Sequence, residues 1–215
     1  MNTATTGIID KARLAKHRII AWCQTFCSAC ATLLFRTHVN RWRKVAHAGR
    51  PPWDERNEII AGFIPAGSSV LDIGCGAQTL RQYLKPGCKY QPSDVIQSSP
   101  DVIFCDFNAG VYPDTKAHFD YVVCSGVFEY IRKPAEFLKR VPLLGHTVLM
   151  SYNPLFPGGS KFARLGNNCV NHFTKSELEN LFDQAGLNWT VLKTDQAQYL
   201  IYTLVKAAKQ EPVRP

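Results

Sequence analysis

The sequence predicts an α/β fold: a mostly parallel sheet of about seven strands, with an antiparallel edge strand and helices on both faces. Three observations lead there. Five short apolar segments between residues 69 and 151 alternate with polar or helix-patterned stretches. Two more strand-like segments close the chain with no helix between them, so they pair as a hairpin and bring in the antiparallel strand. The 215 residues, 46% hydrophobic and 20% charged, suit one full-sized domain plus an appendage and exclude disordered or low-complexity architecture.

The elements follow in order. An uncharged run from Ile19 to Phe35 has helical patterning, and Arg50-Pro51-Pro52 then breaks any helix and marks a boundary. Trp53 to Phe63 reads as a short helix that Pro65-Ala-Gly67 ends. Ser69–Ile73 is a buried strand leading into Gly74-Cys75-Gly76, with a helix over Gln78 to Leu84. Lys89–Ser93 and Asp101–Cys105 are the second and third strands, and the loops around the third are too short and polar for full helices. Phe119–Cys124 is the fourth strand, followed by Gly126 and a helix to about Val141; His146–Ser151 is the fifth. Thr174 with Glu177 three residues on is a capping box, and Gly186 stops that helix. Strands over 188–194 and 198–205 complete the sheet. The domains divide as 1–50, a basic helical extension; 51–207, the body; and 208–215, a tail.

Charge is confined to the extension. Residues 1–50 carry nine Lys/Arg and one acid, Asp10, whereas the other residues carry sixteen of each sign. The pI near 9.1 therefore speaks only for the appendage. Gln24, Thr25, Ser28 and Thr32 share a helical face with His17 and Arg36, so the Ile19–Phe35 run is amphipathic and short for a span. Three readings stand: a helix packed on the domain, an interfacial helix touching anionic lipid, and an export signal or anchor, which the basic flank after the run disfavours. Eight cysteines, several in strand-like runs, read as buried thiols in a reducing cytosol. Cys27-Ser-Ala-Cys30 is a lone C-x-x-C without a second pair, so no metal site is expected.

Chemistry concentrates where strands end. A strand entering Gly74-Cys75-Gly76 lets the backbone approach a ligand closely. Asp94, 18 residues after Gly76, ends the second strand, where a carboxylate accepts from ribose hydroxyls. Asp106 ends the third, placed to accept from an adenine amino group, with Phe107 beside it to cover the ring. Asp72 would repel a pyrophosphate and welcome a cationic tail, which favours an adenosyl ligand bearing a positive amino-acid moiety over NAD or ATP. No phosphate-loop motif is present, and Thr79 replaces the last glycine of Gly-x-Gly-x-x-Gly.

Leu71-Asp-Ile-Gly-Cys-Gly76, Asp94, Cys105-Asp-Phe107 and Phe119-Asp-Tyr-Val-Val-Cys-Ser-Gly-Val-Phe-Glu-Tyr130 resemble the successive motifs of class I S-adenosylmethionine-dependent methyltransferases, a Rossmann-like fold. Val127 to Val141 and His172-Phe-Thr-Lys-Ser-Glu-Leu178 with Ala185-Gly-Leu187 are similar to the small-molecule, ubiquinone-biosynthesis-like branch. The resemblance spans roughly Trp53 to Val205. It implies S-adenosylmethionine as cofactor and S-adenosylhomocysteine as product. It further implies that Asp72, Gly74, Cys75 and Gly76 hold the methionine end, Asp94 the ribose, Asp106 and Phe107 the adenine, and that Ser125, Gly126 and Val127 line the sulfonium region. Methyl transfer rests chiefly on alignment; if the acceptor must lose a proton, Glu129, Tyr130, Asn153 and His172 are weak candidates.

The expected activity is methylation of a small or medium-sized metabolite by a cytoplasmic protein, with peripheral contact to anionic membrane through residues 1–50. Gln78 stands where the family often has glycine, and the segment 95–100 is too short for a normal helix. Both motivate the alternative of a catalytically inactive methyltransferase-like binding protein. A nucleic-acid or membrane-surface methyltransferase using the basic segment is the other alternative. Nucleic acid is not favoured: Asn153-Pro-Leu-Phe156 resembles the Asn-Pro-Pro-Tyr/Phe motif of amino-group methyltransferases, but it follows the fifth strand instead of the fourth and lacks the second proline.

Overall fold

A computed structural model describes residues 3–45, 51–195 and 198–207. The tail expected at 208–215 and the boundary residue Arg50 lie outside the described residues. The strands are β1 (Ser69–Ile73), β2 (Lys89–Asp94), β3 (Ile103–Phe104), β4 (Phe119–Cys124), β5 (Gly145–Tyr152), β6 (Leu187–Thr194) and β7 (Leu200–Lys206). They form one sheet in the order β3-β2-β1-β4-β5-β7-β6. The pairings from β3 through β5 are parallel, and β7 pairs antiparallel with both β5 and β6. The expected antiparallel strand is β7, drawn in between β5 and the hairpin partner β6.

The helices are α1 (Thr3–Leu34), α2 (Val39–Val45), α3 (Pro51–Gly62), α4 (Pro134–Arg140), α5 (Lys161–Gly166) and α6 (Lys175–Gln184). The period-2 pattern of the strands divides the core into two layers. Val122, Cys124, Val148 and Met150 face Phe137 and Leu138 of α4 and Leu178 and Phe182 of α6. Val70, Val123, Leu149 and Ile201 face Ile60 and Ala61 of α3 and Leu80. The Thr174–Glu177 capping box is present on α6, and Gly186 follows that helix at φ 69°.

Several local expectations change. The helix expected over Gln78 to Leu84 is a 3-10 turn, Thr79–Tyr83. The helix expected from Gly126 to Val141 is split into a 3-10 turn at Phe128–Tyr130 and α4, because Pro134 lacks an N–H and can only open a helix. Pro51 and Pro52 likewise begin α3 instead of only breaking what precedes. The Pro157–Ser160 loop leads into α5, whose Ser160 hydroxyl accepts from Ala163 N–H. Cys75, Cys105, Cys124 and Cys169 are buried thiols as expected, but Cys23 and Cys27 are exposed on α1.

The amphipathic pattern of α1 is used the opposite way round from the usual one. Its hydroxyl face meets the body: Ser28 Oγ donates to Gly166 O at 2.7 Å, and Thr32 Oγ1 lies 2.9 Å from Leu165 O and 3.0 Å from Asn168 Oδ1. A Cβ on Gly166 would come within 2.5 Å of Thr25 Cγ2, so glycine there sets the close approach of α1 to α5. Arg132 closes the end of α1 by donating to the carbonyls of Phe35, Arg36 and Thr32. No described helix is long and apolar enough to cross a membrane.

Candidate functional site

The strand order reverses between β1 and β4, and ligands of open α/β sheets bind beyond the strand ends at such a reversal. A cleft lies there, with about 1150 Å³ of empty space including its mouth, the scale of a small-molecule site. Asp72, Gly74, Cys75, Gly76, Asp94, Asp106, Phe107, Ser125, Gly126, Val127 and Tyr130 all line it. Every cofactor residue expected from the sequence is thus in one place.

The Gly74–Gly76 turn has two different reasons for glycine. Gly74 sits at φ 71°, and a Cβ there would come within 2.5 Å of Val127 Cγ2. Gly76 sits at φ 51°, and a Cβ there would meet nothing within 4 Å, so the backbone borders open space. Asp94 holds this turn: Gly76 N–H donates to its Oδ2 at 3.0 Å and Ile96 N–H to its Oδ1 at 2.8 Å. A carboxylate has about four acceptor sites, so two hydrogen bonds leave capacity for ribose hydroxyls. Burial pushes the Asp94 carboxyl above its usual range.

Asp72 is almost wholly buried and receives a hydrogen bond from Tyr90 Oη at 2.6 Å. Burial raises its pKa to about 7, the Tyr90 hydrogen bond opposes this, and nearby Asp94 adds to it. A carboxyl poised in this way gains its charge when a cation arrives. Asp106 is more committed than the sequence suggested. Its Oδ1 accepts from Asn108 N–H, Ala109 N–H and, at 2.7 Å, from Thr37 Oγ1 of the N-terminal segment. Phe107 is buried edge-on between Tyr112 and Phe137, so it forms a floor under the cleft.

The candidate proton acceptors separate. Tyr130 lines the cleft, with the Trp42 ring 4.5 Å from its own, and burial beside Glu129 holds its phenol protonated. Glu129 does not line the cleft; its Oε1 accepts from Asn153 N–H at 2.9 Å, and burial raises its pKa. His172 also lies outside it, beside Arg164, with its pKa lowered by partial burial and by Arg164 and Lys161. Sequence reasoning missed Arg56 and Asp54 on α3. Arg56 is 4% exposed, stacks over the Tyr199 ring at 4.4 Å and donates to Ser125 Oγ at 2.9 Å. Asp54 Oδ1 is buried with no hydrogen-bond partner among the described residues. The available signal was their spacing on a short helix just before β1, which also reads as an ordinary surface pattern.

Gln78, the departure from the glycine pattern, adopts φ 58° and turns its amide to Ser99 Oγ at 2.9 Å, away from the cleft lining. Among the described residues no His, Cys, Asp and Glu cluster is arranged to hold a metal.

A model of the methyltransferase domain matches residues 39–192. The chain belongs to the class I S-adenosylmethionine-dependent methyltransferases. It is 26% identical over 144 residues to the bifunctional methionine biosynthesis protein MetXA/MetW of Rhodopirellula baltica, covering 59% of this chain and 22% of that protein. It therefore spans only about a fifth of that relative's length. The fold is shared with CalO1, a methyltransferase of calicheamicin biosynthesis bound to S-adenosylhomocysteine (TM-score 0.55, 22% identity, 72% of this chain and 54% of that one). It is also shared with the 1,6-didemethyltoxoflavin N1-methyltransferase of Burkholderia thailandensis (TM-score 0.52, 19% identity, 89% and 90%). Both of those proteins hold S-adenosylhomocysteine, and S-adenosylmethionine is the cofactor of the family to which this chain belongs. The orphaned oxygen of Asp54, the poised carboxyl of Asp72 and the open space at Gly76 suit a ligand with a cationic amino-acid end.

Proposed function

We propose that this methyltransferase is active and transfers the cofactor's methyl group to a small or medium-sized metabolite. Bound S-adenosylmethionine supplies an electrophilic methyl on a sulfonium. The chain's own task is to hold that group in line with a nucleophile and keep water away. Arg56 carries the reading. It is a buried cation with no carboxylate within ion-pair distance among the described residues, and it faces the cleft beside Ser125 and Gly126.

Glu129 lies within electrostatic reach of Arg56 without forming an ion pair with it, so a ligand carboxylate in the cleft would complete the charge balance of this buried guanidinium. The cofactor's amino-acid carboxylate fits this role, with its ammonium received by Asp72. Asp54 accepts a further hydrogen bond from bound ligand. The hydrogen-bond chain from Arg56 through the Ser125 hydroxyl and the Asn57 amide to Thr79 fixes the guanidinium in place. Trp42, Trp53, Tyr130 and Tyr199 then leave an aromatic compartment for the acceptor. The family match and this cleft support an enzyme; the aromatic lining supports a small organic acceptor over a polynucleotide.

The test is an acceptor screen with purified protein that follows S-adenosylhomocysteine release, beside Arg56→Ala. Acceptor-dependent product that falls at least tenfold in the variant supports the reading. Tight cofactor binding with no turnover on any acceptor would favour the non-catalytic binding protein.

A further inference from the structure

The inversion of α1 leaves an apolar face uncovered. With its hydroxyl face engaged by α5 and Asn168, the side chains of Ile19, Trp22, Phe26, Leu33 and Leu34 point outward, and Leu34 is 81% exposed. On an ideal helix of 3.6 residues per turn these positions form one arc of about 120°. Cys23, Cys27 and Cys30 fill the spaces within or beside the arc, so no charge interrupts it from Ile19 to Phe35. The patch continues onto the body through Phe162 of α5, 38% exposed and 6.4 Å from the Phe26 ring. A contiguous exposed apolar surface of this kind marks an interaction site.

Charge identifies the partner. Arg13, Lys16 and Arg18 precede the apolar stretch, Arg36, Arg43 and Lys44 follow it, and all six are exposed. No acidic residue occurs between Asp10 and Asp54. A second copy of the chain would set these cations against one another or against a body with no net charge. A bilayer with anionic headgroups takes both the apolar face and the flanking cations. We propose that α1 is a peripheral membrane-docking helix that lies in the plane of an anionic lipid surface.

The docking helix is joined directly to the cleft. Thr37, which donates to Asp106, follows Leu34 by three residues, no more than about 11 Å of chain. Trp42 then stands against Tyr130 in the cleft wall. Docking therefore places the mouth of the methyltransferase site beside the lipid headgroups.

The experiment is flotation of the full chain with phosphatidylcholine vesicles and with 7:3 phosphatidylcholine–phosphatidylglycerol vesicles, at low and high salt. The comparison is an Ile19→Glu/Phe26→Glu variant, with thermal melting of both proteins as a folding control. Expected are at least tenfold tighter binding to the anionic vesicles, weakening with salt, and at least tenfold loss in a variant that melts like the wild type. Equal binding to both vesicle types would overturn the proposal. So would a concentration-dependent dimer without vesicle binding, or binding to a mixed-sequence RNA but not to vesicles. If the variant melts differently, Leu33→Glu replaces it, and retained vesicle binding in that protein overturns the proposal as well.

Discussion

Asp72→Asn keeps the shape of a buried side chain and removes its charge. In the wild type, burial lifts the carboxyl from 3.8 to about 7, so the native state still holds a proton where the unfolded chain has released it. The protonated form's contribution to stability is complete below about pH 4 and is lost as pH rises through about 7. The full loss is about 4 kcal/mol. Asparagine has no proton to lose, so the ligand-free variant should gain about 2–4 kcal/mol over the wild type at pH 8. The lower figure allows for an imperfect hydrogen bond with Tyr90. For a chain of this size that is roughly 5–10 °C in Tm, and the gap should close toward pH 4. The same variant should lose at least tenfold in S-adenosylmethionine affinity, because the ammonium no longer meets an ionised carboxylate. Melting curves from pH 4 to 8 and titration calorimetry measure both effects. A variant no more stable at pH 8, with its affinity intact, would refute the assignment.

Cofactor affinity of the wild type should fall as pH drops from about 7 toward 5, with proton release on binding at neutral pH, read by calorimetry in buffers of different ionisation heat. Gly74→Ala should destabilise by more than about 2 kcal/mol in urea titration, since its Cβ meets Val127 Cγ2 and its backbone is left-handed. Gln78→Gly relieves a left-handed torsion but removes the hydrogen bond to Ser99, so stability should stay within about 1 kcal/mol of wild type and affinity should be unchanged. A large affinity gain there would show that Gln78 impairs the site. Thr37→Val removes the donor to Asp106 and should loosen the cleft wall, seen as faster amide exchange over 37–45.

The sheet was legible because its signals are local and agree. Ser69–Ile73 and Phe119–Cys124 are short apolar runs closed by turn residues, and the Thr174–Glu177 capping box is written in four residues. The ligand side of the cleft was legible because a glycine turn and strand-end carboxylates sit at fixed places along such a sheet. Long-range contacts were not. Nothing local reports that Thr37 reaches Asp106, 69 residues on, or that Arg56 reaches Ser125. The facing of α1 was hidden for a related reason: periodicity shows that a helix has two faces, but only Gly166 and Asn168 decide which one the body takes.

The most direct test is calorimetric titration of the wild type and Asp94→Ala with S-adenosylmethionine and S-adenosylhomocysteine. Asp94, the proposed ribose acceptor, ties Gly76 N–H into the turn. Micromolar binding is expected, about −8 kcal/mol, weakened at least tenfold in a variant that remains folded. A folded wild type that binds neither ligand would contradict it.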